Sequence, residues 1–325
     1  MSVQTTRATA DRDVHDIVAD ALESVEIGPI TSHRNISIAP LSLPRKPQTM
    51  YTGWQDAYFS GSIGVREVDA TGAVEELFVT NQAATNVLLL DGEELCGLNQ
   101  NRVLATTVLM PAKASLNIPV SCSEAGRWSP LGRGTMAAGA LMARSSRVEK
   151  MKATVRNAQA TGPRARRYQV DQEQVWANIR DLQTQLGVTS PTEALRDIYV
   201  AKKEAITQYL DALRGALVGQ GVVVWLNGRL VGVELVSISK AYNAIREQLL
   251  QSYIIDALRM HQGLAFPVHP ETANRFIERC TQGQGDAMES VGLGVDIRYA
   301  GSAGVLGSCL VHKSEVIHAS LFPGT

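Results

Sequence analysis

Apolar positions along the chain switch repeatedly between helical and strand period. Val14, Ile17, Val18, Ala21, Leu22 and Val25 recur at helical spacing and predict a short amphipathic helix. Residues 36–41 then alternate apolar and polar before a break at Pro44-Arg45-Lys46-Pro47, which predicts a strand. From about 54 to 128 the period is mostly two. After a short helix at 54–60, strands are expected at 63–68, 76–80, 86–90, 102–110 and 115–120. Asp91-Gly92 follows the apolar run Val87-Leu88-Leu89-Leu90 and suits a tight turn, because both residue types tolerate positive φ. Another reversal is expected at residues 111–113. Short strands separated by turns predict an antiparallel sandwich or a partial barrel.

Between about 146 and 214 the spacing lengthens to that of helices. Val175, Trp176, Ile179, Leu182 and Leu186 mark one helix, stopped by Gly187. Ser190-Pro191-Thr192-Glu193 reads as the start of the next, with Ser190 as N-cap and Pro191 in the first helical position, running to about Leu213. Strands return at 222–226 and 229–235 around Asn227-Gly228, the strongest hairpin signal in the chain. A long helix at 240–260 and a shorter one at 271–280 follow. The last strands are expected at 291–299, 305–311 and 316–321.

These elements predict an α+β fold. An antiparallel β-sandwich or partial barrel is built from the N- and C-terminal parts, with an inserted helical hairpin. The expected divisions are a tail at 1–12, a β-rich part at 13–145, a helical insertion at 146–215, and a C-terminal α+β part at 216–325 packed on the same core.

Composition narrows the function classes. Lys and Arg number 31 against 32 Asp and Glu, so the basic excess that drives phosphate-backbone binding is missing. The local cluster Arg164, Arg166 and Arg167 has no interleaved aromatics and reads as a solvated loop. Cys96, Cys122, Cys280 and Cys309 are widely spaced, forming neither a disulfide framework nor a zinc ribbon. No apolar run approaches the roughly 20 residues needed to span a bilayer, and the first twelve residues carry no signal-peptide core. A cytoplasmic protein without membrane attachment, and without nucleic acid as partner, is expected.

Three motifs invite sharper readings and receive plain ones. Gly301, Gly304 and Gly307 resemble a phosphate loop, but they lie between two strands rather than ahead of a helix, so a hairpin or bulge is expected. His312 and His318 flank a turn without a third ligand, and no metal site is assigned. Cys122 reads as a small buried cysteine.

The densest polar cluster is Gln100, Asn101 and Arg102 at the start of one strand, set against Glu124, Arg127 and Trp128 past the end of the next. Antiparallel pairing would bring these ends together. Guanidinium forks suit phosphate or carboxylate, and an indole stacks on a base. A polar network that merely pins the loop and caps the sheet is the competing reading.

The same residues resemble a known family. Leu90-Asp-Gly-Glu-Glu94, Gln100-Asn101-Arg102, Ile118-Pro-Val-Ser-Cys122 and Glu124-x-x-Arg127-Trp128 look like the signature of the ARG and rhodanese-phosphatase-superfamily-associated protein domain. The likeness continues through Asp171-Gln172, Ser190-Pro191-Thr192, Asn227-Gly228, Gly232 to Leu235, Ser252-Tyr253, Asp256-Ala257-Leu258 and Ile317-His318 to Phe322. By association with ADP-ribosylglycohydrolase-type neighbours, the resemblance implies a link to NAD or ADP-ribose metabolism, and it assigns no reaction or cofactor. The expectation is a protein that binds or processes an ADP-ribose-, NAD- or nucleotide-like ligand. Arg102 and Arg127 would hold phosphate and Trp128 would stack. Glu124 would act as general base or bind a ribose hydroxyl, with Glu94 assisting. The alternative is a non-enzymatic scaffold or regulatory protein that self-associates as a homo-oligomer or binds a protein partner.

Overall fold

The structure is a computed structural model describing residues 13–68, 75–128, 135–159, 168, 170–260 and 266–324. The expected tail and the Arg164 to Arg167 cluster lie outside the described residues.

Two ends of the chain build one antiparallel sheet. Strand Ile36–Ser42 pairs with Gly221–Leu226, Ile38 facing Val224, and the sheet continues through Arg229–Val236, Glu315–Pro323, Val305–His312, Val295–Ala300 and Asp286–Glu289. Asn227 and Gly228 both adopt positive φ, 48° and 74°, as a two-residue turn matched to strand twist requires. Side chains alternate between two cores. Val223 and Trp225 pack with Ile17, Leu22 and Phe276 on one side. Val222, Val224 and Leu226 pack with Leu250 and Tyr253 on the other. Helices Val14–Glu23 and Glu271–Gln282 cover the first face, and the long helix Ser239–Arg259 covers the second. Cover on both faces explains why strand Ile36–Ser42 is buried almost throughout, Ser37 included, rather than half exposed as its alternation suggested.

A second, six-stranded sheet curves into a half-barrel in the order Thr135–Leu141, Glu93–Gly97, Arg102–Leu104, Ser115–Cys122, Glu76–Asn81, Ile63–Glu67. Leu77, Val79, Leu95, Leu104, Ile118 and Val120 fill its interior. This is the partial barrel of the two expected arrangements. Strands Tyr51–Gly53, Asn86–Leu89 and Val108–Met110 form a third, small sheet.

Several elements differ from the sequence pattern; the helix expected to run to Leu213 is two, Leu195–Ala201 and Lys203–Leu213. The strand expected over 102–110 is two strands in different sheets, interrupted where Thr106 and Thr107 turn their hydroxyls to Asp296 and His318. The strand expected from 291 begins at Val295, because Gly292 sits against the Leu109 backbone where no side chain fits. Helix Arg144–Gln159 has no counterpart in the expected elements. Ser190 to Glu193 form a turn rather than a first helical turn. Glu193 has φ 53°, the Ser190 hydroxyl accepts from the Ala194 amide, and the helix begins at Leu195. The freed Thr192 carbonyl instead accepts the amides of Ala125 and Gly126, clamping the segment that carries Arg127. Among the described residues, no helix is long and apolar enough to cross a membrane.

Candidate functional site

Cys122 lies directly opposite Arg102 in the half-barrel, and Arg102 is opposite Leu95 on the other side. The two runs singled out in the sequence are therefore neighbours. Gln172 fixes the register from outside, its amide accepting from the Cys122 N–H and donating to the Cys122 carbonyl.

Strand alternation then divides the seven expected residues. Arg102 shares a face with Leu95 and Cys122, on the interior side of the half-barrel. Glu94 faces the opposite way, level with Val103. There its Oε1 accepts from the Ser123 hydroxyl at 2.7 Å and its Oε2 lies 3.6 Å from Cys96 Sγ. Burial pushes the Glu94 carboxyl up to about 7, against the hydrogen bonds from Ser123 and Cys96. Glu93 beside it is also raised by burial to about 7, while its Oε2 accepts the Leu90 amide and closes the Asp91-Gly92 turn.

Arg127 and Glu124 form a closed lock. Glu124 Oε2 receives Arg127 Nε at 2.9 Å and Nη2 at 2.7 Å, together with the Asn101 amide at 3.3 Å. The remaining Arg127 donors reach the Leu98 and Asn99 carbonyls and Asn101 Oδ1, each at 3.1 Å. Asn101 Oδ1 also accepts the Gly97 amide. All three side chains are committed to holding the 97–101 loop.

Arg102 differs from Arg127. It is fully buried, its Nη1 lies 3.3 Å from Gln100 Oε1, and its Nε and Nη2 have no partner among the described residues. Trp128, half exposed, lies over the guanidinium at 5.7 Å from ring centroid to Cζ. Glu67 is a residue that sequence reasoning missed. Its Oε1 accepts the Asn99 amide while its buried Oε2 is open, and both Glu67 and Arg102 act electrostatically on Cys122. A lone glutamate at a strand end carries no signal of this. Cys122 is buried and its thiol is raised, chiefly by desolvation, so it is not a poised nucleophile.

A second polar cluster, also missed, lies between helix Arg144–Gln159 and the large antiparallel sheet. Arg147 pairs with Glu234 at 2.8 Å, Lys150 with Asp91, and Arg298 with Asp296 at 2.8 Å, all essentially without solvent contact. His318 joins them through Thr107, with Nδ1 to Oγ1 at 3.0 Å. Burial holds its imidazole down to about 4, so it is neutral at ordinary pH. His312 lies opposite Glu315, away from His318, and no group of His, Cys, Asp or Glu among the described residues is arranged to hold a metal. Gly92, at φ 84°, lets Arg147 pass over the turn; a Cβ there would meet Arg147 Cδ at 2.9 Å.

Among the described residues surface clefts open elsewhere, one of about 300 Å³ between Ile17, Leu43, Arg45, Lys46 and Glu315, and others beside Trp225 and beside Ala57; none of the seven expected residues lines these. In comparisons with known proteins, residues 24–322 match the family described as ARG and rhodanese-phosphatase-superfamily-associated protein domain. No curated protein and no solved structure matches the chain.

Proposed function

Since the chain belongs to the ARG and rhodanese-phosphatase-superfamily-associated protein domain family, we propose that it binds an ADP-ribose-, NAD- or nucleotide-like ligand at the end of the half-barrel where Trp128 covers Arg102. One observation carries this reading: a fully buried guanidinium keeps two nitrogens open beneath a half-exposed indole. A buried guanidinium with only one of its three nitrogens hydrogen-bonded is costly, and a phosphate on the open edge of Arg102 would remove that cost. Rotation of Trp128 admits the ligand and stacks its base on the indole. The open Glu67 Oε2 accepts a ribose hydroxyl. Glu124, Arg127 and Asn101 hold the loop rather than the ligand, and Glu94 lies on the other face of the sheet, away from it.

Thermal unfolding with NAD, ADP-ribose and nucleotides tests the proposal. Free ligand at 100 times Kd stabilises by about 2.7 kcal/mol. Arg102→Met is expected to abolish that shift without loss of stability in the absence of ligand, because it removes a buried charge with two nitrogens unpaired. A wild type that no nucleotide shifts, or an Arg102→Met variant that retains the shift, contradicts it.

The alternative, a non-enzymatic scaffold or regulatory protein, draws on the complete engagement of Arg127, which is what a purely structural loop lock needs. Against self-association through the outer edge of the large sheet, strand Asp286–Glu289 exposes Asp286 and Glu289, charges that discourage edge-to-edge pairing.

A further inference from the structure

We infer that the cleft of about 300 Å³ between helix Val14–Glu23 and the last hairpin binds a small carboxylic acid with an apolar body. It is independent of the Arg102 site, none of whose residues lines it. The volume is at the small end of the range for ligand pockets and matches roughly ten water molecules. Ile17, Ala21, Leu43 and Val316 give the cleft its apolar lining, with Ile17 and Val316 buried. The buried Ser237 hydroxyl, 2.9 Å from Tyr51 Oη, adds a polar group to it. Arg45 and Lys46 supply the positive charge.

The loop that carries these two cations is held in shape. Pro44 and Pro47 bracket them and fix φ on either side. Glu315 Oε2 accepts the amides of Gln48 at 3.1 Å and Thr49 at 2.9 Å, which ties the loop to the last hairpin. Neither Arg45 nor Lys46 has an ion pair or hydrogen bond among the described residues, so a ligand would displace no existing partner. Charge then selects the ligand. Two cations against the single carboxylate of Glu315 leave one positive charge in the lining. A monoanion neutralises it, a phosphate dianion overshoots, and a cation adds to the excess. A guanidinium fork matches the two oxygens of a carboxylate, and an apolar body removes the cleft's aliphatic lining from water.

Saturation-transfer NMR with hexanoate as probe tests this, with hexanol and hexylamine as comparisons of equal chain length. Wild type is expected to give a saturable hexanoate signal that weakens as salt is raised, and weaker signals from the alcohol and the amine. Arg45→Gln/Lys46→Gln is expected to weaken hexanoate binding by about fivefold or more, the worth of partly screened charges, and to leave hexanol unchanged. Ala21→Phe, which places a ring in the cleft, is expected to abolish the hexanoate signal. Arg45 and Lys46 are exposed, so the charge variant carries the test if Ala21→Phe does not fold. No saturable hexanoate signal in the wild type, hexanol or hexylamine binding as tightly as hexanoate, or unchanged hexanoate binding in the charge variant overturns the inference.

Discussion

Arg147→Met is expected to lower the free energy of unfolding by about 3–5 kcal/mol, the loss typical when one partner of a buried ion pair is removed. Glu234 is fully buried and, among the described residues, would be left with the Tyr253 hydroxyl, at 2.8 Å, as its direct hydrogen-bond donor. Arg147 also donates to Ser252 and Ser320, so its loss loosens the contact between the long helix and the sheet. Glu234→Gln alone should cost a comparable amount by leaving Arg147 uncompensated. The double variant should lose much less than the sum, because the two side chains act as a pair. Urea unfolding of the four proteins measures this; additive losses would show that the pair is not coupled.

The second large effect is on pH dependence. Glu93 and Glu94 have folded-state values of about 7 against 4.5 for the free group. Each favours folding while protonated, and that contribution disappears as pH rises from about 4.5 through 7. His318 works in the other direction: its folded value of about 4 lies below the free 6.5, so its contribution is lost as pH falls through that window. Against the two acids stand His318 and, with it, His33 and His312, which burial also lowers; the acids outweigh them, leaving a net loss of at most about one proton, or about 1.4 kcal/mol per pH unit, between pH 5 and 6.5. Wild type should therefore lose up to about 2 kcal/mol over that interval. In Glu93→Gln/Glu94→Gln only the histidine effect remains, and stability should rise with pH over the same range. A double variant with the wild-type slope would contradict the assignment.

The sequence made the frame legible and hid the charged interior, for physical reasons. Asn227-Gly228 and Gly187 announce themselves because few residues tolerate positive φ. Strands such as Glu76–Asn81 keep the period of two because one side faces solvent. The strand Glu93–Gly97 went unseen since all five residues are buried and two are acids, so neither alternation nor β-branched residues mark it. Helix Arg144–Gln159 was hidden for a related reason. Its inward positions include Arg147, Lys150 and Thr154, which read as a solvated face until Asp91, Glu234 and Asp296 arrive from distant parts of the chain.

At the candidate site, proximity of the Gln100-to-Arg102 run to the Glu124-to-Trp128 run followed from antiparallel pairing alone. Which guanidinium is open did not, because that depends on loop carbonyls of Leu98 and Asn99 whose direction is set by Leu98 at φ 51° and Gly97 at φ 106°. The facing of Glu94 away from Arg102 depends on one residue of register, which the unseen strand concealed.

Tryptophan fluorescence during titration with ADP-ribose tests the binding proposal most directly. Trp54 and Trp225 are buried in hydrophobic cores and Trp176 is partly buried on the helix Gln172–Leu186, whereas Trp128 is half exposed over Arg102. The expected result is saturable quenching in the wild type that disappears in Trp128→Phe. No change in the wild type, or quenching of equal size in Trp128→Phe, would contradict ligand binding beneath this indole.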